Sequence, residues 1–253
     1  MIRNTFGEYK YLYETHLHTN IGSACGNNTG REMAKAAKEY GYAGIIVTEH
    51  NWGGNTAISR DLDWNDWIDR FAVGYEQALS YGEENDLDVF WGYEAGYNGT
   101  EFLIYGISPE WMKAHPQLRN ASIEEQYELV SEAGGLVVHA HPYREEFYIP
   151  EIRLYPDYVH AAEGINATHS NSRSKAHNNP DFDKLALEYA SLHNLPITAG
   201  SDIHSTNLLG GGVLTKNRLH SIHDYVELIK SGDYMLTNGE VIYDKHGNKV
   251  SKF

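Results

Sequence analysis

Short apolar runs alternate with amphipathic helical segments along most of this 253-residue chain. Residues 44–48 and 136–138 are apolar runs of the length found in strands that are buried on both faces. In 33–40 and 64–79, apolar side chains recur every three or four positions, which is helical spacing. Strands that alternate with helices predict a mostly parallel sheet or barrel. We therefore predict one α/β domain that spans 1–253.

Local signals mark a helix start and a turn. Thr29 and Glu32 have the spacing of a capping box, in which two side chains satisfy free backbone N–H groups. Asn238-Gly239 is typical of a tight hairpin turn. This turn lies in 235–253, which we assign as a C-terminal tail of the same domain.

Potential metal ligands stand at or just past the ends of five predicted strands. His16 and His18 follow the first strand, where residues two apart point to the same side. The full set is His16 and His18, Glu49 and His50, Glu94, His139 and His141, and Asp202 and His204. Catalytic groups of α/β barrels lie beyond the C-terminal strand ends, and imidazole with carboxylate suits Zn²⁺, Mn²⁺ or Fe²⁺. The pattern predicts an open, catalytic metal centre.

Composition limits the partners and the compartment. The formal net charge of −15 argues against general affinity for nucleic acid or for an anionic membrane surface. It leaves a small phosphate ester open, since bound cations change the local charge. Cys25 is the single cysteine, the first seven residues lack an apolar signal core, and no apolar run is long enough to span a bilayer. We expect a cytoplasmic protein that acts on a small molecule.

Five motifs in this order resemble those of the polymerase and histidinol phosphatase (PHP) superfamily, over nearly the whole chain. They are His16-x-His18, Glu49-His50, Glu94, Ala140-His141-Pro142 and Gly200-Ser201-Asp202-Ile203-His204. The resemblance implies a distorted seven-stranded (β/α)7 barrel that binds up to three divalent metals. It also implies a metal-dependent phosphoesterase that hydrolyses phosphomonoesters and some phosphodiesters.

The resemblance also assigns metal ligands by position. His16, His18, Glu94 and Asp202 would hold one metal, Glu94 would bridge to a second with His141, and His50 and His204 would belong to a third position. Ser23 and Ala24 stand where members with three metals carry His or Asp, and Phe102-Leu103-Ile104 stands where they carry a His. We therefore expect two ions and at most three, with Cys25 as an open candidate for a thiolate ligand.

Three residues are candidates for catalytic roles. Arg144 is a candidate phosphate clamp, because guanidinium binds phosphate oxygens bidentately, although a surface salt bridge with Glu145 or Glu146 is an equal alternative. His139 or His204 could protonate the leaving group, and His139 could instead be a ligand or a partner of one. We expect the pocket to be shaped by Tyr143, Tyr148, Asn51, Trp52 and His169.

Two other functions compete with phosphoester hydrolysis. Amidohydrolase barrels, which cleave C–N bonds, also begin with His-x-His after a first strand. They usually carry a carboxylated lysine or Glu mid-barrel, and no lysine stands at a strand end here. A catalytically degenerate domain that only binds metal is the third possibility, because some family ligand positions are missing.

Overall fold

A computed structural model describes residues 5–253; the first four residues, part of the segment in which no signal peptide is expected, lie outside them. The strands are β1 (Tyr11–Leu17), β2 (Gly44–His50), β3 (Asp88–Tyr97), β4 (Thr100–Tyr105), β5 (Leu136–Ala140), β6 (Ala161–Asn166), β7 (Ile197–Gly200), β8 (Gly211–Thr215), β9 (Met235–Asn238), β10 (Val241–Tyr243) and β11 (Lys249–Lys252). The helices are α1 (Gly30–Tyr40), α2 (Trp64–Asn85), α3 (Pro109–Ala114), α4 (Ile123–Glu132), α5 (Ala167–Ser170), α6 (Pro180–His193) and α7 (Ile222–Ser231).

The predicted α/β class is confirmed, but the predicted count of seven strands is not. Within residues 5–253 one sheet has eleven strands, in the order β11-β10-β9-β8-β1-β2-β3-β4-β5-β6-β7. Among the eleven strands, parallel pairing is confined to β1-β2-β3 and β5-β6-β7, and one isolated parallel bridge joins Leu17 to Ile203. The sheet is mixed because β4 is joined to β3 by a tight hairpin, and β8 runs antiparallel to β1.

Local sequence accounts for several of these elements. β2 is buried along its full length, as expected of an apolar strand covered on both faces. At the start of α1, the Thr29 side chain accepts a hydrogen bond from the Glu32 backbone, and the Glu32 side chain accepts one from Thr29 in return. Gly41 ends the helix with a φ of 107°, in the left-handed region that glycine tolerates best. These two signals place α1 within a residue of its predicted bounds.

Backbone hydrogen bonds join the segment just past β7 to the end of β1. The backbone of His18 donates to the carbonyl of Ile203 (2.9 Å), and the backbone of Ile203 donates to the carbonyl of His16 (3.2 Å). Glycine is required at 200, because a Cβ there would lie 2.5 Å from the Cβ of His16. This contact sets the residues on either side of Ile203 beside the end of β1.

Residues 235–253, expected as a tail, contribute three strands to the main sheet. β9 pairs with β8, and β10 pairs with both β9 and β11, always antiparallel. The predicted hairpin turn joins β9 to β10, with Gly239 at a φ of 86°. No helix in residues 5–253 is both long enough and apolar enough to cross a lipid bilayer.

Candidate metal centre

Eight histidine and carboxylate side chains surround one point at the C-terminal ends of the parallel strands. They form four overlapping groups whose potential ligand atoms lie within 4.8 Å of one another: His16, His18 and Glu94; His16, His141 and Asp202; His50, Glu94 and Glu101; and His18, His50 and His204. The structure thus brings together the seven residues to which the resemblance assigned a metal: His16, His18, His50, Glu94, His141, Asp202 and His204. It adds Glu101, which the sequence did not nominate.

Glu94 lies at the centre of this cluster. Its Oε1 is 3.0 Å from Nε2 of His141 and 3.4 Å from Nε2 of His16. Its Oε2 is 2.9 Å from Nδ1 of His50 and 3.4 Å from Nε2 of His18. Burial by itself raises the pKa of Glu94, but His16 and His50 outweigh it and hold the pKa well below its ordinary value. The carboxylate is therefore charged and is reached by four imidazoles.

Two of the predicted ligands have an unusual backbone conformation. Asp202 has a φ of 53° and His141 a φ of 27°, both in the left-handed region that non-glycine residues seldom adopt. The turn at Asp202 carries its Oδ1 to 3.3 Å from Nε2 of His18 and 3.4 Å from Nε2 of His16. Backbone strain of this kind is often retained where it aims a functional side chain.

Neighbouring side chains fix the tautomers of the first two histidines. Nδ1 of His16 donates to Oε1 of Glu163 (2.9 Å), and Nδ1 of His18 donates to the hydroxyl of Ser23 (3.0 Å), whose proton goes to Glu49. Nε2 of each ring has no hydrogen-bond partner among the residues described. In a metal-binding histidine, one ring nitrogen typically keeps a free lone pair for the metal. The other nitrogen donates a hydrogen bond that holds the ring in its orientation.

Replacing Glu163 with glutamine is expected to weaken metal binding about 10- to 100-fold, the usual effect of losing such a partner. Oε2 of Glu163 accepts from the backbone of His141 (3.1 Å) and from the Asn166 side chain (3.0 Å), so a glutamine would keep its carbonyl oxygen there. Its NH₂ group would then face His16 and favour the tautomer with a proton on Nε2, which cannot bind a metal.

Competition with a chromophoric chelator measures this affinity, and Glu188→Gln, an exposed change on α6, is the control. Unchanged metal affinity in Glu163→Gln would contradict the assigned tautomer.

His139 is not brought to this cluster. Its ring stacks on Phe102 at 5.0 Å between centroids, and its Nδ1 is 3.2 Å from the hydroxyl of Tyr189. Burial, and then the nearby His141, lowers the pKa of His139 to about 3. His139 and His141 are two residues apart, as His16 and His18 are, but their side chains do not share a side, because β5 ends at Ala140 and the backbone then turns. Strand alternation does not extend past the end of a strand.

Arg144 is buried at the cluster, which removes the alternative of a surface salt bridge. One Nη atom lies 2.5 Å from Oδ2 of Asp202. Arg144 also lines a cavity of about 670 Å³ that opens onto the cluster, together with Cys25, His50, Glu94, Glu101, His141, Tyr148, His177, Asp202 and His204. Of the five residues expected to shape the pocket, Tyr148 lines this cavity and His169 lies behind Arg144. Asn51, Trp52 and Tyr143 are not among the described lining residues.

Glu101 is a member of the cluster that the sequence did not nominate. Its carboxylate oxygens lie 3.6 Å from Nδ1 of His50 and 3.6 Å from Nε2 of His141. Burial and the charge of Glu94 raise the pKa of Glu101. The sequence did contain a signal for Glu101. Asn98-Gly99 is typical of a tight hairpin turn, and such a turn places Glu101, the second residue of β4, at the same end of the sheet as the cluster.

Cys25 lies at the outer side of the cluster. Its thiol faces the imidazoles of His204 and His50. Burial raises the pKa of this thiol, but the two imidazoles outweigh it and lower the pKa to about 7. A thiol of this kind can supply a soft ligand beside two nitrogen ligands.

No protein-family model matches the chain, and no curated protein sequence matches it. Solved structures do resemble it. A two-domain protein from Bacteroides vulgatus, named as containing a predicted PHP-like metal-dependent phosphoesterase, superposes with a TM-score of 0.65 at 13% identity, over 94% of this chain and 68% of that one.

Two further structures have the same fold. A protein from Bifidobacterium adolescentis, assigned as a metal-dependent phosphoesterase, gives a TM-score of 0.52 at 16% identity, over 79% of this chain and 90% of that one. An amidohydrolase from Chromobacterium violaceum, with bound sulfate and no metal, gives 0.54 at 15% identity, over 86% and 96%.

The chain is thus an α/β protein with a curled sheet and a cluster of histidine and carboxylate side chains at one end. Its fold is that of solved structures named as metal-dependent phosphoesterases, one of them as PHP-like. The resemblance read from the sequence motifs is confirmed at the level of the fold.

Proposed function

We propose that this protein is a metal-dependent phosphoesterase that hydrolyses a small phosphate ester. The observation that carries the proposal is the buried guanidinium of Arg144 on the wall of the same cavity as the metal-binding groups. A fixed cation beside a cationic metal centre is suited to an anionic substrate, and guanidinium matches phosphate oxygens in shape and charge.

The side chains present fit divalent metals. The unpartnered, buried Nε2 atoms of His16 and His18 face Glu94 and Asp202, and this donor set of imidazole and carboxylate suits Zn²⁺, Mn²⁺ or Fe²⁺. We assign one ion to these four residues and a second to Glu94, His141 and Glu101. Such ions supply Lewis acidity and lower the pKa of a bound water towards about 7.

The proposal extends to the identity of a third ion. His18, His50 and His204 bring three imidazoles together, and Cys25 lies beside two of them, His50 and His204, on the wall of the same cavity. Nitrogen and sulfur ligands together favour Zn²⁺ over Mn²⁺. We therefore propose that any third ion is zinc.

The protein side chains have distinct tasks in this hypothesis. Arg144 binds the non-bridging oxygens of the phosphoryl group. His204, whose side chain is about a quarter exposed and lines the cavity, holds the proton for the leaving oxygen where it is not itself a metal ligand. His139 has no such access, since its ring is enclosed by Phe102 and Tyr189.

The cavity supports a small substrate. Its volume of about 670 Å³ is that of a site for a ligand of drug size. Its lining carries Glu101 and the net charge of the whole chain is −15, so a polymeric nucleic acid would meet like charge on approach. We propose a small soluble ester as the substrate rather than a polymer or a membrane lipid.

Amidohydrolase chemistry is the second candidate, because one structure of the same fold is named an amidohydrolase. Hydrolysis of a C–N bond could use the same donor set. A neutral amide, however, would bring no negative charge of its own to the guanidinium of Arg144 on the cavity wall. Amide hydrolysis by the purified protein with no phosphatase activity would favour this candidate.

The test is metal content by elemental analysis together with hydrolysis of p-nitrophenyl phosphate, with and without added Mn²⁺ or Zn²⁺. We expect at least two ions per chain and an activity that His16→Ala removes. Metal without phosphatase activity on any ester would favour the amidohydrolase or a degenerate metal-binding domain. If the protein contains no metal and hydrolyses no ester under any of these conditions, the proposal is rejected.

A further inference from the structure

Arg144 is held by a chain of buried side chains that starts well outside the metal ligands. Its Nε donates to Nε2 of His169 (3.0 Å), and Nδ1 of His169 donates to Oδ1 of Asp183 (2.8 Å). Oδ1 of Asp183 also accepts from the backbone of Asn166 (3.1 Å). The chain therefore ties the loop after β5 to β6, α5 and α6.

The contacts leave His169 one arrangement. A guanidinium has five N–H donors and no acceptor, so the nitrogen of His169 that meets Nε of Arg144 must carry a lone pair. The proton is then on Nδ1, which faces Asp183. Burial, and then the charge of Arg144, hold the pKa of His169 well below its ordinary value, which agrees with a neutral ring.

This arrangement determines which edge of the guanidinium meets the cavity. Nε is engaged by His169 and one Nη faces Asp202 at 2.5 Å, while the other Nη lies 3.5 Å from the hydroxyl of Thr168. With two of its corners held, the planar group cannot rotate about its long side chain. Its remaining N–H groups have a fixed direction before any substrate arrives, and preorganisation of this kind lowers the entropic cost of binding.

We propose that His169, oriented by Asp183, is a positioning residue that fixes the guanidinium of Arg144 for the substrate phosphate. This inference rests on the proposed phosphoesterase function. It assigns a task in substrate binding to two residues that lie outside the metal cluster.

Two substitutions of His169 separate positioning from simple packing. In His169→Asn the amide nitrogen takes the place of Nδ1, so the bond to Asp183 is kept and the acceptor for Arg144 is lost. In His169→Gln the longer amide reaches the place of Nε2, so an acceptor for Arg144 is kept. The readouts are the dissociation constant of inorganic phosphate from the metal-loaded protein and KM for p-nitrophenyl phosphate.

We expect His169→Asn to weaken phosphate binding about tenfold, equivalent to about 1.4 kcal/mol, and to raise KM more than it lowers kcat. His169→Gln should recover most of this loss. In an Arg144→Lys background, where the planar fork is absent, His169→Asn should have little further effect. Equal losses in both His169 variants, or a full tenfold loss in the lysine background, would show a packing role and overturn the inference.

If His169→Asn does not fold, a measurement on the unmodified protein tests whether His169 positions Arg144. Nitrogen-15 spectra of the histidine rings report their tautomers, and we expect a neutral His169 with its proton on Nδ1 at pH 7. The opposite tautomer or a charged ring would overturn the positioning role. Absence of phosphate binding to the unmodified, metal-loaded protein would instead contradict the proposed function, and the tautomer would still be measurable.

Discussion

Glu94→Gln is expected to lower p-nitrophenyl phosphate hydrolysis about a thousandfold, a loss of about 4 kcal/mol in transition-state stabilisation. The carboxylate lies within 3.4 Å of four imidazoles, and the assigned ligand sets share it between two ions. A neutral amide would remove the negative charge that balances the two proposed divalent cations, and it would turn N–H groups towards nitrogen lone pairs. Metal content by elemental analysis should fall with the activity.

Glu132→Gln is the matched control, since Glu132 is exposed on α4 and remote from the cluster. It should keep full activity and full metal content. Activity of Glu94→Gln within about tenfold of the unmodified protein would mean that Glu94 does not bridge two ions, and the two-metal assignment would have to be abandoned.

Arg144→Ala is expected to lower kcat/KM for phosphate esters about a hundredfold, or about 2.7 kcal/mol, mostly through a higher KM. The change removes a buried cation from the cavity wall and leaves Asp202 without its 2.5 Å partner. Added guanidinium should restore part of the activity, because the space left by the side chain is buried and lined by Asp202, Thr168 and His169.

Arg70→Ala, an exposed change on α2, controls for the general loss of a positive charge. Metal content of Arg144→Ala should stay near that of the unmodified protein, which separates a role in phosphate binding from a role in building the metal centre. No kinetic change on any phosphate ester would remove Arg144 from the site.

The two substitutions together also discriminate between the candidate functions. A phosphoesterase needs both the carboxylate and the guanidinium. An amidohydrolase acting on a neutral amide should lose activity in Glu94→Gln and tolerate Arg144→Ala. A degenerate metal-binding domain should lose metal in Glu94→Gln and have no hydrolysis to lose in either variant.

Much of the site was predictable from the sequence because its ligands lie on or next to strands. His16 and His18 follow an apolar run at a spacing of two, and Glu94 and His50 end runs of the same kind. Periodicity and residue type suffice for such positions. Glu101 and Glu163 were not nominated, since their importance depends on which residue each one faces across the sheet or the cluster.

The assignments that failed were those that needed the path of the chain past a strand end. His139 was expected beside His141, but β5 ends between them and His141 turns to a positive φ. Within the described residues, the sheet has four strands more than predicted. Three of them, β9 to β11, come from the tail 235–253 and the fourth is β8, and no local sequence pattern shows which edge of the sheet these strands join.

The sequence by itself determined the α/β class, the bounds of α1, the hairpin at Asn238-Gly239 and the kinds of ligand available. These follow from propensity and periodicity, which act over a few neighbouring residues. Tertiary structure alone decided which atoms meet. Ile203 bonds to the end of β1 and so carries Asp202 to His16, while Asp183 and His169 reach Arg144 from separate elements. Contacts between residues far apart in the chain depend on how the whole sheet curls.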